Sequence, residues 1–404
     1  MSVAYKNNTA SQSQLKPPLH LTTHHCLDTP QLEEIWQALE PHGAGSPYSR
    51  RAWCTAWFHA LAKHTKARPF LVTGSVQGQP VFILCLCIYH SAFGKAARWA
   101  GDTLGNQNTG LWDLDYLGSL TESLRAPLQD HLHDEGIDTL QLVNTPASIG
   151  TVPNPLFNSQ DQQSPNAVYP FKLGAEPEKF IVSKRSSSSR QKLRGKRRKL
   201  EAIAPLIAKR LTTLPEQQDL VNQFIKQRFE REKLTGIPAG FTKKSHAEFL
   251  HALVRNLHTQ SCGVQPALFA LLHGNQVLAT YIGMEANGCF YCYSLSVTSG
   301  PYLRLSPGEH LATAVIEDLC QRGMTAFDYG LGEEAYKLAW AEPEFLRDWI
   351  EPLSKRGALH CLVMKQHLKL KTALRANKRF WQAYRALRKY SKALSARLER
   401  VPFD

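Results

Sequence analysis

Residues 305–340 read LSPGEHLATAVIEDLCQRGMTAFDYGLGEEAYKLAW, a stretch that combines a turn, a helix and a strand. The Pro-Gly turn precedes a segment with helical apolar spacing, and the apolar run MTAFDYG follows the turn at Arg322-Gly323. Upstream, residues 265–297 contain three apolar runs separated by turns at HGNQ and EANG, which predicts an antiparallel meander. This half of the chain therefore reads as a meander, a loop, a helix and a strand, preceded by predicted helices at 216–233 and 244–259. The stretch from Thr145 to Tyr169, rich in Pro, Asn, Ser and Gln, is predicted to be a long loop between the two halves.

The turn before the predicted helix has the chemistry of an anion site. Pro307 fixes φ, and Gly308 lets the backbone turn and a ligand approach closely. The first N–H groups of the helix, near Glu309, lack internal partners and carry the positive end of the helix dipole. A turn without any ligand has the same sequence, so the pattern alone leaves both interpretations open.

A second group of candidate residues follows the next strand. Asp328 ends that strand, where a carboxylate can act as a base, and Tyr336 and Lys337 can supply a proton and a positive charge. The same residues also fit a turn cap and a surface pair, and the pattern does not decide between these interpretations.

The run from Leu268 to Trp340 resembles the second domain of GNAT-type acyltransferases of the Fem-like group. That group includes Fem-type peptidoglycan aminoacyltransferases and CelD-like cellulose-biosynthesis proteins. The resemblance rests on HGNQVLATYIG, a Tyr-rich strand, and the order SPG, helix, RG and DYG-x-G-x-x-x-YK-x-x-W. The basic stretch RGKRRKLE resembles the segment that links the two domains, and W-x-x-x-W-F followed by a hairpin loosely resembles the first domain.

This resemblance implies an α/β (α+β) fold with two GNAT-like domains. Each domain is a mixed, largely antiparallel sheet flanked by helices, and a basic C-terminal helix is added. The predicted boundaries are a flexible tail at 1–18, an N-terminal domain at 19–170, a basic linker at 171–215, a catalytic C-terminal domain at 216–362 and a basic amphipathic helix at 363–404.

The resemblance also implies transfer of an acyl group to an amine acceptor. GNAT enzymes bind the CoA pyrophosphate with backbone N–H groups of the loop before the helix. The residues expected to bind acyl-CoA (acetyl-CoA) are Arg304, Ser306, Pro307, Gly308, Glu309 and His310. The usual loop reads Arg/Gln-x-x-Gly-x-Gly/Ala, and the spacing here differs. Fem-type relatives use aminoacyl-tRNA instead of CoA, so this donor is the alternative.

The expected mechanism is direct attack of the amine on the donor carbonyl. Asp328 first and Glu333 second are the candidate bases, Lys337 stabilises developing negative charge, and Tyr336 protonates the leaving group. A CoA-dependent enzyme would act on a small-molecule, glycan or peptide amine in polysaccharide or cell-envelope metabolism. A non-enzymatic basic adaptor on membrane or nucleic acid is the third hypothesis. Only the second half has an SPG or DYG signature, which predicts one active site.

The positive charge lies mainly in two segments of a chain whose net charge is +14. Lys184–Leu200 contains nine Lys/Arg and no acid, and fits a solvated linking helix, a site for an anionic substrate, nucleotide or tRNA, or a eukaryotic nuclear signal. Lys365–Arg400 contains twelve Lys/Arg and one Glu, with an apolar stripe at helical spacing. That segment fits a helix packed on the body or one lying on an anionic membrane surface.

Composition predicts a cytoplasmic protein, with peripheral attachment at the inner membrane face as the alternative. The longest apolar run, Val81 to Tyr89, is too short to span a bilayer, and the polar N-terminal residues predict no secretory signal. Nine scattered cysteines do not form a disulfide framework. Cys289 and Cys292 have metal-ligand spacing, but on a strand they point to opposite faces, so no metal is expected.

Overall fold

The fold is built from two large sheets, with helices between them and on their outer faces, and a separate pair of short strands. The computed structural model describes residues 18–101, 104–121, 123–236, 240–332, 334 and 336–376, with the backbone alone over 367–376. Within that part of the chain, no helix is both long enough and apolar enough to cross a membrane.

The first half alternates strands with short helices. In chain order its elements are β1 (Leu19–His24), α1 (Pro30–Leu39), α2 (Arg51–Trp57), α3 (Lys63–Thr65), β2 (Arg68–Val76), β3 (Gln79–Ser91), β4 (Gly94–Trp99), β5 (Leu111–Trp112), α4 (Leu114–Leu120), α5 (Arg125–Asp134), β6 (Thr139–Thr145), β7 (Ser148–Ile149), β8 (Val152–Pro153) and β9 (Gln162–Val168). Thr29 caps α1 with its side chain, and a π turn at Phe58–Ala62 joins α2 to α3.

The second half contains the longer helices. Its elements are β10 (Pro170–Lys172), α6 (Pro177–Lys184), α7 (Ser187–Glu201), β11 (Leu206–Leu211), α8 (Leu214–Thr235), α9 (Lys244–Thr259), β12 (Val264–His273), β13 (Gln276–Ala286), β14 (Cys289–Val297), α10 (Pro307–Gln321), β15 (Ala326–Asp328), β16 (Glu344–Pro352) and α11 (Lys355–Ala376). Helix α8 begins with a capping box between Thr213 and Glu216 and ends at Gly236, whose positive φ suits glycine.

Both sheets are mixed and largely antiparallel. The first has the order β1-β2-β3-β4-β6-β16-β9, with β5 also on β3, and the second has the order β10-β15-β14-β13-β12-β11. The parallel pairs are β4 with β6 in the first sheet and β14 with β15 in the second. This architecture confirms the expected fold of two mixed sheets flanked by helices.

A helical layer lies between the two sheets and gives them a common core. Side chains of α1, α2, α8 and α9 form one buried cluster with residues of both sheets, including Leu71, Ile83, Leu268 and Ile282. Helices α4 and α5 cover the other face of the first sheet, and α6 and α10 cover the other face of the second. The core is therefore continuous across the two halves.

The sequence predictions differ from the structure after residue 145. The stretch from Thr145 to Tyr169 is not all loop, because β9 pairs with β16 as an edge strand of the first sheet. This strand reads QQSPNAV, which lacks apolar alternation, and its Pro is compatible with a sheet edge. Strand β16 also lies in the first sheet, although it falls within the 216–362 range assigned to the C-terminal domain. The domain boundaries remain predictions.

Candidate active site

A cavity opens in the second sheet where two parallel strands separate. Strands β14 and β15 pair only from Cys289 to Tyr291 opposite Ala326 to Asp328, and β14 then continues to Val297. The cavity beside this free stretch of β14 has a volume of about 450 Å³. Its wall includes Arg185, Arg228, Arg231, Cys292–Leu295, Ser306–Glu309, Leu331, Glu334, Tyr336, Lys337 and Trp340. A narrow ligand can therefore enter the sheet at this point.

The N-terminus of α10 forms one side of this cavity. Ser306 adopts a left-handed conformation with φ of 56°, and Pro307 begins the helix. Gly308 packs closely on β14, since a Cβ there would lie 3.1 Å from Val297 Cγ1. The Gly308 N–H is in the first turn, where no intrahelical acceptor is available. The loop thus presents an open amide at the positive end of the helix dipole.

Two basic residues, Lys196 of α7 and Arg185 just before α7, flank this helix end. The Lys196 ammonium donates to Ser306 Oγ at 2.7 Å, and Arg185 Nη2 donates to Glu309 Oε2 at 2.7 Å. The Arg185 guanidinium also lies over the Trp340 ring at 5.6 Å. The basic tract of the sequence is therefore packed beside the predicted anion-binding turn.

The same tract lines a neighbouring groove on the outer side of α10. The groove has a volume of about 330 Å³ and is lined by residues that include Arg190, Arg194, Arg197 and His310. His310 is buried and its Nε2 atom has no hydrogen-bond partner in the structure. Burial lowers the pKa of His310 to about 4, so this ring is neutral near pH 7. The sequence predicted that His310 and Ser306 belong to one loop site. In the structure His310 lines this outer groove, whereas Ser306 lines the cavity beside β14.

Lys337 is buried in the cavity wall and is fully engaged. Its ammonium donates to Leu331 O at 2.7 Å and to Gly330 O at 3.3 Å, and it forms an ion pair with Glu334 at 2.9 Å. These contacts hold the backbone after β15 in place. An ammonium has three protons, and three acceptors are already in reach.

Tyr336 lies beside Lys337 on the same wall. Burial raises the pKa of its hydroxyl well above the usual range, so the group stays protonated and can donate a hydrogen bond. Glu333, the second candidate base, lies outside the described residues. Arg304 is exposed in a 3-10 turn, Pro301–Leu305, and is not among the residues lining the cavity.

Asp328 lies at the end of β15 and faces a second, larger groove. This groove has a volume of about 1440 Å³ and runs between the two halves of the protein. The buried carboxylate accepts hydrogen bonds from Gln107 Nε2 at 2.7 Å and from the Gly330 N–H at 2.9 Å. Burial raises the pKa of Asp328 to about 6, against the opposing effect of these two donors and of Lys337.

Two features of the site were not predicted from the sequence. Gln107 comes from a loop of the first half and has no local motif that marks it. A β-bulge in β14 is the second feature: Ile282 pairs with Ser294 and Gly283 with Cys292, which leaves Tyr293 as the extra residue. The amide of such a residue is not used by the ladder. The Tyr293 ring lies 5.8 Å from that of Tyr48 in the first half.

Asp328 and Lys337 thus lie on either side of one backbone segment, Tyr329 to Leu331. Asp328 faces the groove between the halves, and Lys337 faces the cavity beside α10. Among the residues that the structure describes, no three His, Cys, Asp or Glu side chains are grouped to hold a metal ion. The groove and the cavity thus lie on opposite sides of this backbone segment.

Comparisons with known proteins give a family match for this half of the chain. Residues 187–338 match the model of the acetyltransferase (GNAT) domain, and no curated protein matches the sequence. Similar solved structures include FemX, with 10% identity over 82% of this chain and 96% of that chain and a TM-score of 0.49. A tandem GNAT protein from the clavulanic acid biosynthesis pathway has 11% identity over 83% and 99% of the chains and a TM-score of 0.43. L-PGS from Bacillus licheniformis has 11% identity over 80% and 91% and a TM-score of 0.43. The segment from residue 187 to residue 338 is therefore similar to a GNAT acetyltransferase domain.

Proposed function

We propose that this protein is an N-acyltransferase that transfers an acyl group from acyl-CoA to an amine acceptor. The observation that carries the proposal is the cavity beside β14, which combines a parted strand pair with an open helix N-terminus. Lys196 adds positive charge to that helix end, and Arg185 neutralises Glu309 there. This combination suits a donor with a phosphorylated head and a narrow acyl arm.

The donor head binds at Ser306, Pro307, Gly308 and Glu309 in this proposal. The open Gly308 N–H binds a phosphate oxygen, and Lys196 offsets the negative charge of the phosphate. The acyl arm lies along the free part of β14, where the unpaired amide of Tyr293 donates to the thioester carbonyl oxygen. An amide aimed at that oxygen stabilises the charge that develops during attack by about 3–4 kcal/mol.

The acceptor amine approaches from the groove that contains Asp328. The amine nitrogen attacks the thioester carbon, the C–S bond breaks, and the amine proton passes to the Asp328 carboxylate. Tyr336 keeps its proton and donates a hydrogen bond to the departing thiolate, which takes up a proton from solvent. Lys337 holds the Gly330–Leu331 backbone and Glu334 in place, because its three protons already have acceptors. We therefore assign it a positioning role in place of the oxyanion role expected from the sequence.

The acceptor is an amine on a small molecule, a glycan or a peptide in polysaccharide or cell-envelope metabolism. The volume of the groove, about 1440 Å³, supports an extended acceptor, since pockets for small ligands are usually about 300–1,000 Å³. Gln107 and Thr109 bring polar groups of the first half to its wall. The first half therefore contributes to acceptor binding in this proposal.

Thermal stabilisation by acetyl-CoA and by CoA tests the proposed donor. A ligand at a hundredfold excess over its Kd stabilises the folded state by about 2.7 kcal/mol. Gly308→Glu places a side chain and a negative charge in the phosphate site, so we expect this variant to lose the shift. The matched control is Gly118→Glu on α4, where an added Cβ meets no atom within 4 Å. A shift that survives Gly308→Glu, or none in the wild type, would remove acyl-CoA as the donor.

Aminoacyl-tRNA is the second candidate donor, because the exposed basic residues of α7 lie next to the same loop. Contacts of this kind bind the RNA backbone and weaken steeply with salt. A salt-sensitive stabilisation by tRNA, with no response to CoA, would support this donor. Sensitivity of the transfer reaction to RNase would then identify it directly.

A further inference from the structure

Helix α11 is fixed to the body of the protein by one of its faces. Gly357, Cys361 and Met364 follow helical spacing on that face, and Gly357 packs so closely that a Cβ would collide with Asp138 O. The Gln141 side-chain amide donates to Met364 Sδ at 3.0 Å. The direction of the opposite face is therefore set by these contacts.

The opposite face of α11 is apolar and exposed. Leu359, Leu362 and Val363 have the spacing of one helix face, and they are 53%, 55% and 44% exposed. Exposed large apolar side chains that adjoin one another on a surface mark an interaction site more often than isolated ones do. This face is consequently available to a partner.

The sequence that follows this apolar face is strongly basic. Helix α11 runs to Ala376, and most of the predicted basic helix, residues 377–404, lies outside the described residues. The segment Lys365–Arg400 contains twelve Lys/Arg and one acid, Glu399. An apolar helix face that adjoins a strongly basic sequence is the pattern of a surface that binds a membrane interface.

We propose that the exposed apolar face of α11 docks the protein on the surface of an anionic lipid bilayer. Leu359, Leu362 and Val363 enter the boundary between headgroups and acyl chains, and the positive charge of the adjoining sequence favours anionic headgroups. A nucleic acid would bind the positively charged side chains but would leave the exposed leucines in water. A second copy of the chain would bring two strongly basic segments together. Only the lipid surface satisfies both the apolar face and the charge.

Co-sedimentation with lipid vesicles tests this proposal on the full chain. Vesicles of phosphatidylcholine alone are compared with vesicles that also contain phosphatidylglycerol. We expect binding only to the anionic vesicles, weakening as salt rises. The double variant Leu359→Glu/Leu362→Glu should reduce the bound fraction at least tenfold. The control Ile203→Glu/Leu234→Glu adds the same charge at side chains that are 64% and 65% exposed elsewhere, and should bind as the wild type does.

The thermal midpoint and the response to acetyl-CoA serve as readouts of folding that are independent of lipid. Both should be unchanged in the two double variants. The proposal is overturned if the wild type ignores anionic vesicles or if both double variants bind equally. It is also overturned if light scattering finds a dimer that only Leu359→Glu/Leu362→Glu dissociates, because the face then belongs to a second copy.

Discussion

Asp328 is the residue whose charge state decides the proposed reaction. As a base it must be ionised, and burial raises its pKa to about 6. We expect kcat/KM to decrease as the pH is lowered below about 6, because the Asp328 carboxylate becomes protonated. Asp328→Asn should lower kcat at least about a hundredfold, which is the usual contribution of a general base. A pH–rate profile of both proteins checks this. Full activity of the variant at neutral pH would exclude Asp328 as the base.

The same residue predicts a change of stability with pH. The pKa of Asp328 is higher in the folded protein than its ordinary value of 3.8, so the folded state binds the proton more tightly. The stability that this provides is complete below about pH 4 and is lost as pH rises through about 6. Asp328→Asn lacks this loss, so its thermal midpoint should rise relative to the wild type between about pH 4 and pH 7.

Single residues of the site were predictable only where a local motif marks them. The turn at Ser306-Pro307-Gly308 was identified because helix-start chemistry is local in sequence. Gln107 was not, since it reaches Asp328 from 221 positions away. Lys337 was identified as a cation near the site, but its engagement by Gly330, Leu331 and Glu334 depends on a loop geometry that spacing does not determine.

At the scale of elements, helix α7 supplies the ammonium of Lys196 to the proposed donor site. Lys196→Met removes the ammonium next to Ser306, and we expect CoA to bind about tenfold more weakly, since hydrogen bonds to charged groups contribute about 1.5–3 kcal/mol. Titration calorimetry measures this change. Arg198→Met is the control, because two residues along a helix turn the side chain to nearly the opposite face. Equal weakening by both variants would mean that α7 acts only through its net charge.

Elements with strong periodicity were predicted well, and elements that depend on distant partners were not. Helix α9 was predicted at its observed bounds, Lys244–Thr259, because its apolar stripe is regular. The strands of the meander were likewise confirmed. Strand β9 forms only because β16 returns from much later in the chain to pair with it. The packing of α7 against the start of α10 is of the same kind, since its basic sequence equally fits a solvated helix.

At the scale of the whole molecule, the two halves share one buried core. Trp53 of α2 is fully buried and meets Phe249 of α9 edge to face, with ring centroids 5.7 Å apart. Asn256 of α9 also donates to Ala52 O and to Thr55 Oγ1, each at 3.0 Å. Because the groove with Asp328 and Gln107 lies between the halves, the geometry of the site depends on this core. A loss of packing between α2 and α9 should therefore affect both halves together.

Trp53→Ala tests whether the halves unfold as one unit. Truncating a buried Trp costs about 3–5 kcal/mol, and the cavity would lie between α2 and α9. We expect urea unfolding to remain a single transition at a lower midpoint, with tryptophan fluorescence and far-UV circular dichroism in agreement. The exposed Leu234→Ala should change stability by less than about 0.5 kcal/mol. The opposite outcome is two separate unfolding transitions, of which Trp53→Ala shifts only the one that belongs to the first half. Each half would then be stable without the other, and the shared core would not be what holds the groove together.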